Sequence, residues 1–194
     1  MNALALGNRK LSRAVAVFNL PPVLSCPNCG MCRSTCYARK TMWLYPSTRD
    51  RWNRLFDLAK NRPDVLEAVL RLDLDELKRR PAVEAVRIHS SGDFFSAEYV
   101  AMWARIIRDY RRRFRFYAYT KAEKALDLEP LEAAGLNVIP SFIGGFLNYG
   151  PPEHVAMLCR RFRCHVCPAG SEGVQCGKGC RYCFTHKRVA FLQH

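Results

Sequence analysis

Ten cysteines, gathered in two clusters near the ends of the chain, constrain this sequence more than any other feature. The first cluster is Cys26, Cys29, Cys32 and Cys36, spaced C-x2-C-x2-C-x3-C. The second holds Cys164 and Cys167, then Cys176, Cys180 and Cys183 spaced C-x3-C-x2-C, with Cys159 just upstream. Residues 37–158 contain none. The opening residues carry Arg9, Lys10 and Arg13 and no apolar stretch of signal-peptide type, so a cytoplasmic, reducing location is expected. In such a compartment cysteines at these spacings bind metal rather than pair as disulfides. A chain of 194 residues can bury the core of one domain, residues 1–194, without covalent staples. No run is long and apolar enough for a membrane span, so no membrane association is expected.

The formal net charge is +14, and it is segregated. Residues 1–60 carry ten Lys/Arg against two Asp/Glu, residues 61–150 carry fourteen against thirteen, and residues 151–194 carry seven against two. The excess lies in the two ends that hold the cysteines. Part of it is offset by metal-bound thiolates: two four-thiolate sites of about −2 each leave roughly +10. The remaining surplus points to a polyanionic partner, a nucleic acid or a nucleotide. The sequence carries no feature that sets an oligomeric state.

Hydrophobic periodicity predicts strands over 14–20, 83–89, 114–119, 137–142 and 188–192. It predicts helices over 47–60, 63–72, 73–80 (a separate short helix or the continuation of the one before), from Ser96 onward, 122–134 and 152–161. The alternation of strand and helix predicts an α/β fold: a small parallel sheet, open or as a partial (β/α) barrel, with the cysteine-rich loops at both ends of the chain. In such folds ligands sit beyond the carboxyl ends of the strands. Asn19, the run His89, Ser90, Ser91, Gly92 and Asp93, then Thr120, Lys121 and Ser141 all fall there, and the first cysteine cluster follows the first strand in the same way.

Those residues suggest roles. His89 and Asp93 are candidates for an acid and a base, and Lys121 for pairing with an anionic ligand. Ser90, Ser91 and Gly92 suit a backbone N–H cradle for a carboxylate or phosphate, with Asn19 and Ser141 beside it. A structural histidine and a tight turn are the plain alternatives. The arginine-rich stretch 108–115 reads as a solvated helix end. Tyr37, Trp43 and Tyr149 are loop aromatics able to stack on bases or simply to pack.

Thiolate ligands select zinc or iron–sulfur. Cys26, Cys29, Cys32 and Cys36 have the bacterial ferredoxin spacing, although Tyr37 stands where ferredoxins have proline. A three-cysteine site with an open iron is the expectation drawn from that partial match. The run Cys176, Cys180 and Cys183 resembles the cluster motif of radical S-adenosylmethionine (SAM) enzymes, here at the wrong end of the chain. Cys167 is available as a fourth ligand, which makes a closed [4Fe–4S] cluster the reading for that set. Zinc is the alternative, with Cys164 and Cys167 as one knuckle and Cys180 and Cys183 as the other. Cys159 reads as a core residue.

The chain also resembles the phage gene product 88 family over nearly its whole length. The resemblance rests on Phe18-Asn-Leu-Pro-Pro, Ser25-Cys-Pro, Cys36-Tyr-Ala-Arg-Lys, Arg87-Ile-His-Ser-Ser-Gly-Asp-Phe-Phe, Phe116-Tyr-Ala-Tyr-Thr-Lys, Ser141-Phe, Asn148-Tyr-Gly, Cys167-Pro-Ala and the run from Cys176 to Phe184. It implies a phage or prophage origin, hence the cytoplasm of an infected or lysogenic host, and supplies no reaction. In the family pattern Cys26, Cys32 and Cys36 recur more clearly than Cys29, as a three-cysteine site requires. The expected functions are a cluster-dependent, radical-SAM-like enzyme with one or two [4Fe–4S] clusters, a zinc- or cluster-stabilised nucleic-acid-binding protein, or a small electron carrier.

Overall fold

Side-chain alternation along four short parallel strands decides the layering of this protein. The computed structural model describes residues 2–8, 10–30, 33–34, 36–169 and 173–192. In chain order the main elements are β1 (Ala5–Leu6), β2 (Val15–Phe18), α1 (Tyr37–Leu44), α2 (Pro46–Asn61), α3 (Pro63–Lys78), β3 (Ala85–Ile88), α4 (Ala97–Tyr110), β4 (Arg115–Thr120), α5 (Glu129–Ala134) and β5 (Leu136–Pro140). A second group follows: β6 (Phe142–Ile143), β7 (Phe146–Leu147), β8 (Tyr149–Gly150), α6 (Pro152–Phe162), β9 (His165–Val166) and β10 (Val189–Leu192).

The central sheet has the order β1-β2-β3-β4-β5. β1 is antiparallel to β2, and every other neighbouring pair is parallel. The sheet is open, so the α/β class holds and no closed barrel forms. Ala16 and Phe18, Val86 and Ile88, Phe116 and Ala118, and Leu136 and Val138 point to one face, where they pack on α2 to α5 in the main core. Their neighbours in sequence point the other way, as the two-residue period requires. Val15, Val17, Ala85, Tyr117 and Ile139 meet Leu11, Cys183, Phe184 and Val189 on that second face. The helices thus cover one side, and the cysteine-rich carboxyl segment covers the other. That segment is held by the small parallel sheet β8-β10-β9.

One alternative is decided and one expectation changes. Pro63–Lys78 is one continuous helix, because Leu66, Leu70, Leu74 and Leu77 make an unbroken buried stripe along α3. Residues 122–134 do not form one: a 3-10 turn at Ala122–Lys124 precedes α5. Pro130 explains the break, since its ring would clash with the carbonyl four residues back in a continuous helix. At the second position of a new helix it is tolerated. Among the described residues no helix is long and apolar enough to cross a membrane.

Candidate functional site

The loops at the carboxyl ends of β2, β3 and β4 are locked to one another by polar side chains. Asn19 Oδ1 accepts from the N–H groups of Ser90 (2.8 Å) and Ser91 (3.0 Å). Ser91 Oγ donates to the Leu20 carbonyl at 2.9 Å, and the Leu20 N–H returns a bond to Ser91 O at 3.0 Å. Asp93 is buried; its Oδ1 accepts from Thr120 Oγ1 (2.6 Å) and Phe94 N (2.9 Å), and its Oδ2 from Lys121 N (2.8 Å). The Ser141 N–H donates to Thr120 O at 2.8 Å. The expected anion cradle is therefore corrected in one respect: the N–H groups of Ser90 and Ser91 are already taken by Asn19.

His89 sits on the helix side of this clamp. It is buried, with Nε2 2.9 Å from Tyr99 Oη and its ring packed among Phe18, Phe94 and Tyr99. Burial, aided by the Arg87 charge, lowers its pKa to about 3, so the imidazole stays neutral at working pH. Its Nδ1 is buried with no partner among the described residues. His89 and Asp93 thus share a neighbourhood, but each is occupied by packing or by hydrogen bonds.

Asp93 carries a pH signature. Burial pushes its pKa from 3.8 to about 6, against the hydrogen bonds from Thr120, Lys121 and Phe94 that favour its charge. A carboxyl whose folded pKa is raised contributes stability below its unfolded pKa and loses it as pH rises through the folded value. Stability is therefore expected to decline between about pH 4 and pH 6, and in Asp93→Asn that segment of the profile should flatten. Urea midpoints measured across the window check this; an unchanged slope in the variant would assign the titration elsewhere.

The first cysteine loop lies over these strand ends. Asn28 Nδ2 donates to the Lys121 carbonyl at 2.7 Å, the Asp93 N–H donates to Ser25 O at 3.2 Å, and the Tyr37 hydroxyl donates to Ser90 O. Cys26 and Cys29 are half-buried. Cys36 occupies the N-cap position of α1. The expectation for Cys32 falls outside the described residues.

The second cysteine set faces the sheet. Tyr117 Oη lies 3.6 Å from Cys176 Sγ, and the Tyr119 hydroxyl donates to Cys183 Sγ. Cys176 is pinned by backbone bonds to Lys10 and Ser12, and Cys167 by one to Ala190. Burial raises the pKa of Cys167, Cys176 and Cys183, the last to about 12, and the neighbouring thiols push the same way. Cys180 acts on Cys167 and Cys176, while Cys176 and Cys167 act on Cys183. Cys180 Sγ is 4.0 Å from His165 Nε2. Cys167 and Cys176 are thus electrostatic neighbours of both Cys180 and Cys183. Cys164 instead has Cys159 as its thiol neighbour, because an extended β9 sends residues three apart to opposite sides.

Arg87, on β3 between Val17 and Tyr117 in register, lies among these thiols, a residue to which the sequence alone gave no role. Its guanidinium stacks over the Tyr119 ring at 4.9 Å, and its Nε is buried with no partner among the described residues. Burial works against its charge, while Tyr117, Tyr37, Tyr119 and Cys183 favour it. No carboxylate pairs with it among the described residues. Arg87 also draws down the pKa of Cys167, Cys176 and Cys183. The available signal was a charged residue inside an otherwise apolar central parallel strand.

Zinc and iron–sulfur make different demands on this donor set. Among the described residues no three or more His, Cys, Asp or Glu side chains are grouped to hold a metal ion. A zinc ion needs four sulfurs about 2.3 Å from one point, and an iron–sulfur cube takes one thiolate per iron.

Fold and site together define an α/β protein with an open parallel sheet, helices on one face and a thiol-rich segment on the other. The chain belongs to the gene product 88 family: residues 2–145 match the family model described as "Gene product 88". That match stops before the second cysteine set. Two curated relatives are the Gene 88 proteins of Mycobacterium phage D29 and Mycobacterium phage L5. Each is 34% identical, over 107 and 108 residues respectively, covering 52% of this chain and 44% of the relative. The matched region thus spans less than half the length of these relatives. No solved structure matches the chain.

Proposed function

We propose that this is a phage-type iron–sulfur protein working in the cytoplasm of an infected or lysogenic host. In this reading Cys167, Cys176, Cys180 and Cys183 hold one [4Fe–4S] cluster against the open face of the sheet. Cys26, Cys32 and Cys36, with Cys29 beside them, hold a second at the carboxyl ends of the strands of a partial-barrel-like sheet, and the activity is radical-SAM-like on an anionic ligand. The observation that carries the reading is Arg87: a half-buried cation with a buried Nε and no carboxylate partner among the described residues, set among thiols whose ligated form is anionic. A four-thiolate cluster of about −2 supplies the missing countercharge.

A bound cluster supplies single electrons; the chain supplies the rest. Tyr117 and Tyr119 direct their hydroxyls at the sulfurs of Cys176 and Cys183, and hydrogen bonds to cluster sulfurs set potential. The clamp of Asn19, Ser91 and Asp93 fixes the strand ends on which the first loop rests. Lys121, at the end of β4, remains the candidate partner for an anionic ligand, and SAM or a nucleotide the candidate ligand.

The test is iron, zinc and acid-labile sulfide per chain after anaerobic purification. Iron and sulfide near four or eight per chain are expected. Zinc without sulfide would overturn the reading and leave the cysteines as a structural frame. SAM binding and reductive cleavage by the loaded protein test the enzymatic half; a loaded protein that does neither is an electron carrier.

A further inference from the structure

We propose that α1, with Val23 and Arg33 beside it, forms a platform for single-stranded nucleic acid. This names the polyanionic partner and its seat, and it does not depend on which metal the cysteines hold. Several of the most exposed large apolar residues among those described lie here: Tyr37, Trp43 and Tyr45 are 67%, 79% and 58% exposed, and Leu44 is also open. Trp43 faces water and contributes nothing to the core, while Tyr37 is exposed over most of its surface but anchored through its hydroxyl to Ser90 O. Stacking on exposed aromatic rings is how single strands are held without sequence preference.

The charge around these rings is of one sign. Residues 21–49 contain Arg33, Arg39, Lys40 and Arg49 and no Asp or Glu. Arg49 is paired with Asp50 at 3.1 Å. Arg33, Arg39 and Lys40 are exposed and enter no ion pair among the described residues. Arg39 and Trp43 are four apart on α1, so a cation and an aromatic share one face at the spacing of adjacent helical turns. Arg39 and Arg33 also line a shallow pocket of about 260 Å³ with Pro22, Val23 and Met42, and Val23 holds a left-handed φ of 71° there. Bases on the rings and phosphates on the arginines fit this alternation. A duplex fits it less well, because its bases are already stacked. The platform begins at Cys36, so a bound strand would lie beside the first cysteine loop.

Trp43 makes the test direct, since Trp52 and Trp103 are 8% and 0% exposed. Titrating the full-length protein with oligothymidylate should quench tryptophan emission, and Trp43→Phe should abolish the quench while binding, read by anisotropy of a labelled strand, persists. Trp43→Ala should weaken binding roughly 5- to 150-fold, the loss of about one base stack. Arg39→Gln with Lys40→Gln should lower the salt slope by about 1.4, two phosphate contacts on a single strand. Circular dichroism checks that these surface variants remain folded. Four results would overturn the proposal: no quench at low salt; equal affinity for a duplex of the same length; an undiminished affinity in Trp43→Ala; or Trp43 shielded by self-association or by anionic vesicles in place of the strand.

Discussion

Gly92→Ala is expected to destabilise the protein by about 2–5 kcal/mol, combining about 1–2 for a left-handed backbone with about 1–3 for overpacking. Gly92 has φ +84°, and a Cβ there would lie 2.6 Å from Ser25 Oγ and 2.7 Å from Leu20 Cβ. Neither neighbour can retreat easily. Ser25 Oγ is bonded to Pro21 O at 2.7 Å, and Leu20 is tied to Ser91 through both backbone groups and the serine hydroxyl. Gly145→Ala is the matched control, because Gly145 has φ +86° but a Cβ there would meet nothing within 4 Å. It should lose only the strain. Urea unfolding of both variants separates the two contributions. Equal losses would show that the post-β3 loop is not wedged against the post-β2 loop. The wedge matters for function because Ser25 immediately precedes Cys26: whatever displaces the clamp displaces the first cysteine loop.

The sheet is readable from sequence because its strands combine an apolar period with flanking turn residues. Ser96, a cap by its position before an apolar helix, does accept from the Tyr99 N–H at 3.2 Å. Three things are hidden for physical reasons. α1 carries exposed aromatics and no apolar stripe, so periodicity is silent over Tyr37–Leu44. The polar run from His89 to Asp93 resembles ligand-binding chemistry because composition does not reveal hydrogen-bond partners, and Asn19 is some seventy residues away from the amides it satisfies. Arg87 escapes notice because a single charge in a strand is ordinarily placed at an edge. Only register shows it in the middle of the sheet, beneath the carboxyl-terminal thiols. The spacing of those thiols is visible in the sequence, while the division that leaves Cys164 with Cys159 depends on the direction of β9.

Arg87→Met should change sign with the state of the cysteines. In metal-free protein the substitution removes a half-buried charge whose buried Nε has no partner among the described residues, and replacing buried ionic groups by apolar ones of similar volume is stabilising by about 1–4 kcal/mol in favourable cases. A higher urea midpoint is therefore expected for the metal-free variant. In cluster-loaded protein the same guanidinium faces anionic ligands, since it already draws down the pKa of Cys167, Cys176 and Cys183. Its loss there should shift the cluster potential to more negative values, because a nearby positive charge favours the reduced form, and should speed loss of iron to a chelator. Arg87→Lys keeps the charge but not the planar stack on Tyr119, so it should retain most of the potential and less of the fit. A purely structural Arg87 would destabilise both states when removed and leave the potential unmoved. Opposite signs in the two states are what a countercharge for ligated thiolates requires, and measuring both on one preparation, before and after reconstitution, separates that role from packing.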